Sequence, residues 1–105
     1  MMPYRFQTLA QFDYFDLLDW YDAIQAGLGD DFADDFEAFL NGIRGMPRTG
    51  TRVSRPPRGR EVRYGMTRRF VAVVHYEVTA TEVVILSVQH YRSNRRPWRR
   101  RLNTP

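Results

Sequence analysis

Residues 61–101 read EVRYGMTRRFVAVVHYEVTATEVVILSVQHYRSNRRPWRRR, and this stretch decides the fold. It contains three short runs in which apolar and polar residues alternate, the pattern typical of strands that bury one face. The links between the runs have two and three residues, and links that short favour antiparallel neighbours. The stretch therefore predicts a three-stranded antiparallel meander that leads into an arginine-rich tail, residues 91–105.

Each run has one face that we expect to lie against a core. In the first run that face consists of Val62, Tyr64 and Met66. In the second run it consists of Phe70, Ala72, Val74, Tyr76 and Val78. In the third run it consists of Val84, Leu86, Val88 and His90.

The length of 105 residues predicts a single domain, residues 1–105. Apolar residues make up 43% and aromatic residues 14% of the chain, fractions typical of globular proteins. The chain has no cysteine, which excludes disulfides and thiolate metal sites and suits a reducing compartment. The N-terminus lacks an apolar run long enough for a signal peptide or a membrane span, so we expect a cytoplasmic protein without membrane partners.

The charges are unevenly distributed along the chain. Residues 1–43 contain nine acidic residues and only Arg5 as a basic one, a net charge of −8. Residues 44–105 contain fifteen arginines and three glutamates, a net charge of +12. A basic half of this kind indicates an anionic partner, either a nucleic acid or an acidic protein segment.

The first half of the chain predicts one strand and two helices. Tyr4–Leu9 can form a short strand, and about Gln11–Gly27 has the apolar spacing of a helix, with Gly27 at a left-handed C-terminal position. The apolar positions of this helix are Tyr14, Leu17, Leu18, Tyr21, Ile24 and Leu28. The aspartates at every third position predict a solvated surface rather than a site, and they are Asp13, Asp16, Asp19 and Asp22.

A second helix should follow directly. Asp30 or Asp31 can cap its first turn, and Gly45 and Pro47 should end it. Its apolar stripe consists of Phe32, Phe36, Phe39, Leu40 and Ile43. Because the loop between the helices is short, we expect an antiparallel helical hairpin packed on the sheet, an α+β fold in the order β-α-α-β-β-β. Residues 48–60, with five arginines, are interpreted either as a phosphate-contacting loop or as a solvated linker.

Few residues point to chemistry. His75 lies mid-strand on the face opposite Phe70 and Val74 and is interpreted as a structural or surface histidine. No residue set has the spacing of a metal or cofactor site, and none is expected.

The tripeptide His90-Tyr91-Arg92 stands where the third strand ends, and it is the candidate catalytic set. Cleavage of RNA through its 2′-hydroxyl needs proton transfer and cations on the phosphate. His90, Tyr91 or Glu61 can transfer protons, and arginines 63, 68 and 92 can supply charge. The alternative is that His90 fixes the strand end and the arginines form a binding surface.

Trp98 lies among arginines in the tail and is interpreted as a structural anchor that packs back on the domain, or as a platform for a base. The six arginines from Arg92 to Arg101 can follow a phosphate backbone.

The order of these motifs resembles the ParE/RelE superfamily of bacterial type II toxins, and the ParE-like branch most closely. Trp20-Tyr21, followed by Gly27-Leu28-Gly29 and Phe32, is similar to the helical hairpin of that family, and Pro47 lies where the family closes the hairpin. The strand residues that match are Arg63, Arg69-Phe70 and Tyr76. The segment His90-Tyr91-Arg92-Ser93-Asn94 through Trp98 and Arg101 is similar to the family's ending, and His90, Trp98 and Arg101 keep its spacing. The chain departs from the family pattern at Val71, Ala72, Ser93 and Arg95.

The resemblance implies an α+β fold and a cytoplasmic toxin, which is neutralised by a small antitoxin with an acidic C-terminal segment. It implies that the target or the antitoxin contacts the basic surface, and the residues expected there are Arg63, Arg68, Arg69, Arg92 and Arg101. ParE-like members poison DNA gyrase without being nucleases, whereas RelE-like members cut mRNA on the ribosome. Because the chain has no lysine and ends in the Trp98 pattern, we favour the ParE-like function. The alternatives are an mRNA endonuclease and an arginine-rich nucleic-acid-binding module without a toxin role.

Overall fold

The structure is a computed structural model that describes all residues, 1–105. It begins with a short strand, β1 (Tyr4–Phe6), and two helices, α1 (Thr8–Ile24) and α2 (Leu28–Gly45). A 3-10 turn at Pro47–Thr49 leads to a two-residue strand, β2 (Thr51–Arg52). The last elements are β3 (Glu61–Met66), β4 (Ala72–Val78), β5 (Val83–His90) and a short helix, α3 (Trp98–Arg101).

The five strands form one sheet in the order β1-β5-β4-β3-β2. Strands β3, β4 and β5 pair antiparallel as a meander, and β2 adds antiparallel to β3. Strand β1 pairs parallel to β5 at the other edge. The predicted α+β fold and its β-α-α-β-β-β order are confirmed, with β2 as an additional strand within residues 48–60.

Helices α1 and α2 pack as a hairpin on one face of the sheet and enclose the main core. The stripe of α2 contributes Phe32, Phe36, Leu40 and Ile43, all buried. Strand β4 contributes the face predicted for it, with Ala72, Val74, Tyr76 and Val78 in the same cluster and Phe70 packed beside it. Aromatic rings fill the space between the helices, and the rings of Tyr14 and Phe36 are 4.7 Å apart. The predicted hairpin against the meander is therefore confirmed by the packing.

One prediction about β5 was wrong, because the residues predicted to form one face, Val84, Leu86, Val88 and His90, do not share a face. Residues of β4 and β5 pair in register up to Tyr76–Ile85, and the next pair is His75–Ser87, so Leu86 is an extra residue. A bulge of this kind reverses which residues face the core beyond it. Val83, Ile85 and Val88 therefore belong to the main core, while Val84 and Leu86 lie on the far face of the sheet.

The helix ends also differ from the predictions. Helix α1 begins at Thr8, because the side-chain carbonyl of Gln7 accepts a hydrogen bond from the N–H of Ala10 at 3.1 Å. Gly27 does adopt the left-handed conformation expected, with φ 88°. Helix α2 starts directly after Gly27. Its first turn is capped by Asp22 rather than by Asp30 or Asp31, because the carboxylate of Asp22 accepts a hydrogen bond from the N–H of Gly29 at 2.8 Å. Ile24, predicted to face the core, is 59% exposed.

The turn between β3 and β4 is held from the helix side. The carboxylate of Asp35 on α2 accepts hydrogen bonds from the N–H groups of Arg69 and Phe70, at 3.0 and 2.8 Å. The next residue, Val71, has φ 56° in the left-handed region, where a β-branched side chain is strained. Val71 is also one of the positions where the sequence departs from the pattern of the family that it resembles.

The edge of β5 is closed by an ion pair that the sequence did not reveal. Strand β1 covers this edge only as far as Ile85. Beyond that point the guanidinium of Arg101 donates to Leu86 O at 2.9 Å, and the N–H of Val88 donates to the carboxylate of Asp13 at 3.1 Å. Arg101 and Asp13 pair with each other at 2.7 Å. We call these two side chains the edge clamp. The prediction that Asp13 belongs to a solvated surface was wrong.

The edge clamp also brings the C-terminal tail onto the far face of the sheet. Trp98 and Leu102 of the tail form a second cluster there with Val62, Val84 and Leu86. The N–H of Thr8 donates to Pro105 O at 3.0 Å, so the end of the chain is tied to the start of α1. None of the helices combines the length and the apolar content needed to cross a membrane.

The edge clamp predicts a large stability loss for Asp13→Ala. The side chains of Arg101 and Asp13 are only 10% and 13% exposed, and removal of one partner leaves the other charge buried and unpaired. We expect a loss of about 3–5 kcal/mol in the free energy of unfolding, measured by urea denaturation. The matched control is Asp19→Ala on the same helix, whose exposed carboxylate has no partner, so its loss should be far smaller. Equal losses in the two variants would contradict the role of the clamp.

Candidate partner-binding groove

A groove with a volume of about 510 Å³ lies on the far face of the sheet. Its floor comes from β3 and β4, through Tyr64, Val73 and His75, and Met66 at the end of β3 lies at its mouth. One wall is the segment after β2, with Val53 and Ser54. The other wall is the C-terminal tail, with Tyr91, Arg96 and Trp98. We call this feature the far-face groove.

His75 is a buried residue of the floor. It is 5% exposed, and its Nδ1 lies 3.3 Å from the hydroxyl of Ser87. Its ring stacks on Trp98, with centroids 6.0 Å apart and planes 16° apart, and it also contacts Tyr64 at 5.5 Å. Burial, aided by the positive charge of Arg96, lowers the pKa of His75 to about 4. The imidazole is therefore neutral at neutral pH, and the floor is aromatic and uncharged.

The two walls are joined by an arginine of the tail. The guanidinium of Arg99 lies over the ring of Trp98, 4.5 Å from its centroid. The same group donates hydrogen bonds to the carbonyl oxygens of Ser54 and Arg55, at 3.4 and 2.9 Å. Trp98 itself is 7% exposed, so it occupies the packed position expected of an anchor.

The rim of the groove is positively charged. Arg96 is exposed, and its guanidinium donates only to backbone carbonyls of its own loop, to Ser93 at 2.6 Å and Arg95 at 2.7 Å. Arg52 and Arg55 flank the wall residues Val53 and Ser54 along the chain and are also exposed. At the mouth, the side chains of Met66 and Tyr91 are 53% and 43% exposed. The arrangement can hold an apolar or aromatic group next to negative charge.

Two of the arginines predicted to bind a partner make internal contacts instead. The side chain of Arg63 is 13% exposed and pairs with Glu61 at 2.8 Å. Its guanidinium also donates to the carbonyl of Gly50 at 2.7 Å, so it holds the turn before β2. Arg101 is part of the edge clamp and is 9% exposed. The geometry gives both arginines a structural contact, and their predicted role in binding stays a prediction.

The other three predicted arginines lie on the surface but apart from the groove lining. Arg68 lines a cleft between α2 and β3 together with Phe39 and Met46. Arg69 pairs with Asp31 at 3.6 Å across the surface. Arg92 is exposed and lies beside α1.

The candidate catalytic tripeptide is divided between two clefts. His90 and Arg92 line a cleft beside α1, where the His90 ring lies 5.4 Å from that of Trp20. Tyr91 lines the far-face groove, although its hydroxyl accepts a hydrogen bond from Arg92 Nε at 2.8 Å. Glu61 lines neither of these clefts. Its carboxylate pairs with Arg63 and Arg48, and these contacts lower its pKa. The rings of His90 and Tyr91 are nevertheless 4.8 Å apart, and the N–H of Arg92 donates to His90 Nδ1 at 3.2 Å. The tripeptide therefore stays together at the strand end, and its catalytic role stays a prediction.

Residues 48–60 form one wall of the groove and a support beneath it. Arg60 pairs with the buried carboxylate of Glu77 and donates to Leu102 O at 3.0 Å. The hydrogen bond to Glu77 raises the pKa of Arg60.

Sequence reasoning missed Arg96, Arg99 and Tyr64 as groove residues. His75 could have revealed this surface from the sequence, because it was correctly predicted to lie on the face opposite Val74. The neighbours of His75 on the adjacent strands could then have been predicted to lie on that same face of the sheet.

The packing of Trp98 predicts that Trp98→Ala costs about 3 kcal/mol of stability, because the substitution leaves a cavity between the tail and the sheet. Thermal and urea denaturation measure this loss. Trp20→Ala is the comparison, since that ring is 49% exposed and its removal should cost much less. A Trp98→Ala protein that melts like the wild type would show that the tail is not anchored there.

His75 predicts a specific pH dependence of stability. Its folded pKa of about 4 lies below the ordinary value of 6.5, so between these pH values the unfolded chain binds more protons. Stability should therefore fall as the pH drops from about 6.5 to about 4, by roughly 3 kcal/mol in total, and this loss should level off below. Urea titrations of the wild type and of His75→Phe, compared at each pH, isolate this histidine from the carboxylates. Identical pH profiles would contradict a buried neutral imidazole.

No protein-family model matches this chain, and no curated protein matches it significantly. Membership of the toxin superfamily, which the order of the motifs implies, therefore stays a prediction.

Proposed function

We propose that this protein is a cytoplasmic, growth-inhibiting toxin of the ParE/RelE superfamily. It acts by binding its target, DNA gyrase, and a small antitoxin encoded beside it holds it inactive. The observation that carries this proposal is the far-face groove, in which an aromatic floor is bordered by unpaired arginines. An acidic segment with apolar side chains, the kind of segment expected of the antitoxin, fits a groove with that chemistry.

The fold supports the same proposal. A helical hairpin on one face of an antiparallel meander is the arrangement that the motif resemblance implies. The hairpin packs on one face of the sheet, while the other face is covered by the tail and the segment after β2, with the groove open between them. A partner of this sheet therefore meets the basic face.

The state of His75 favours binding over catalysis. A general base works best when its pKa lies near the working pH. The pKa of His75 is about 4, which makes the imidazole a weak base at neutral pH. The more exposed His90 lines the cleft beside α1 and not the groove.

One observation supports the alternative of an mRNA endonuclease. Tyr91 and Arg96 lie in the same groove as His75, and a hydroxyl, a cation and an imidazole are groups that RNA cleavage can use. In that case the reacting set would be His75, Tyr91 and Arg96 rather than the tripeptide His90-Tyr91-Arg92.

Induced expression in a bacterial host tests the proposal. We expect growth to stop while translation continues, with a DNA-damage response and altered DNA supercoiling, because a gyrase poison leaves mRNA intact. Pulse labelling of new protein and gel analysis of a reporter plasmid measure both effects in one culture. Early loss of translation with cleaved mRNA would support the endonuclease alternative. Normal growth would contradict a toxin and leave the nucleic-acid-binding module.

The groove itself is tested by Arg96→Glu. This charge reversal at an exposed position should abolish growth inhibition and lower antitoxin affinity by about tenfold or more, without a change in melting temperature. The matched control is Arg58→Glu, which changes the net charge equally at an exposed arginine that does not line the groove. Equal activity of the two variants would show that the groove is not the contact surface.

A further inference from the structure

Helix α1 has an outer face that the fold leaves unpartnered. Phe12, Phe15, Asp16 and Asp19 follow the i, i+3, i+4, i+7 spacing of one helix face, and all four are exposed. The rings of Phe12 and Phe15 are 59% and 47% exposed. We call these four residues the α1 stripe.

The α1 stripe is unusual within this molecule. Of the ten large apolar residues that are exposed, five lie on α1, and they are Leu9, Phe12, Phe15, Trp20 and Ile24. The helix carries four aspartates and no basic residue. Two of the aspartates are used internally, Asp13 in the edge clamp and Asp22 as the cap of α2. Asp16 and Asp19 remain free beside the exposed rings, which is a pattern typical of a binding surface.

The negative charges of Asp16 and Asp19 determine which kind of surface the α1 stripe can bind. Two α1 stripes packed against each other would bring Asp16 and Asp19 close to the same residues of the other copy, and like charges repel at such a contact. A basic surface with an apolar depression avoids this repulsion. The far-face groove offers both, with Met66 and Tyr91 at its mouth and Arg96 on its rim.

We infer that the α1 stripe of one molecule docks into the far-face groove of a second copy of this chain. The groove volume of about 510 Å³ is large enough for a phenylalanine side chain. In this contact Phe12 or Phe15 enters the groove, and Asp16 and Asp19 meet the arginines of the rim. The stripe and the groove lie on opposite sides of the sheet, so one molecule can use both at once.

This geometry has two consequences. A contact between two different surfaces is heterologous, and it forms rings or open chains instead of a closed twofold dimer. It also covers the far-face groove, so assembly competes with any other ligand of that groove. The inference depends only on the two surfaces, and it stands even if the protein does not inhibit growth.

Sedimentation velocity of the purified full-length protein tests the inference. We expect the mean mass to rise with protein concentration at ~0.05 M NaCl and to return to the monomer at ~0.5 M NaCl, because salt screens the charge pairs. Asp19→Arg and Phe12→Ser should each weaken the association by about tenfold or more, and so should Arg96→Glu. Glu37→Arg is the control for Asp19→Arg, since it makes the same charge change on α2 outside the stripe and should associate like the wild type.

A mixing experiment identifies the two surfaces. Asp19→Arg keeps an intact groove, and Arg96→Glu keeps an intact α1 stripe. Each variant alone should stay monomeric, whereas an equimolar mixture should form a 1:1 dimer that cannot grow further. Circular dichroism and melting temperature confirm that both variants are folded.

Three results would overturn the inference. The first is a wild-type protein that stays monomeric at low salt over the whole concentration range. The second is an Arg96→Glu protein that still associates like the wild type, which would place the groove outside the contact. The third is a mixture of the two variants that remains monomeric although both are folded.

Discussion

A carboxylate on the first helix and a guanidinium from the C-terminal tail close the edge of the sheet where its last strand has no neighbour. Strand β1 ends its pairing at Ile85, and beyond it the carbonyl of Leu86 and the N–H of Val88 would be left unpaired at an edge strand. Arg101 donates a hydrogen bond to the carbonyl of Leu86, and Asp13 accepts one from the N–H of Val88. The two side chains also neutralise each other's charge. One ion pair thus satisfies the backbone of β5, joins α1 to the sheet and fixes the end of the tail.

The far-face groove depends on this clamp. With Arg101 fixed, the preceding turn places Trp98 over His75, and Arg99 reaches across to the carbonyls of Ser54 and Arg55. Without the tail, the floor of aromatic and imidazole rings would be open to water and would have no second wall. The same segment therefore stabilises the domain and builds the surface that we propose for the partner. This dual use explains why the tail arginines differ so much in exposure, from the buried Arg101 to the free Arg96.

The sequence predicted what local periodicity can encode. The alternation in residues 61–90 and the apolar stripe of α2 gave the meander, the hairpin and their order, because these patterns follow directly from strand and helix geometry. It could not predict the clamp, since Asp13 and Arg101 are 88 positions apart and each looks like an ordinary surface charge. The bulge at Leu86 carries no local signal either, and it moved Val88 to the other face. The groove could be predicted only in part, through His75 and Trp98, because its walls come from distant segments.

The most direct test of this account is the pKa of His75, followed by NMR titration of its ring protons in the wild type and in Arg101→Ala. The clamp holds the tail, the tail holds Trp98, and Trp98 helps to keep water from the imidazole. We therefore expect a pKa of about 4 in the wild type and a rise towards the ordinary value near 6.5 in folded Arg101→Ala protein. An unchanged low pKa in that variant would contradict the account, because it would show that the tail stays on the sheet without the clamp.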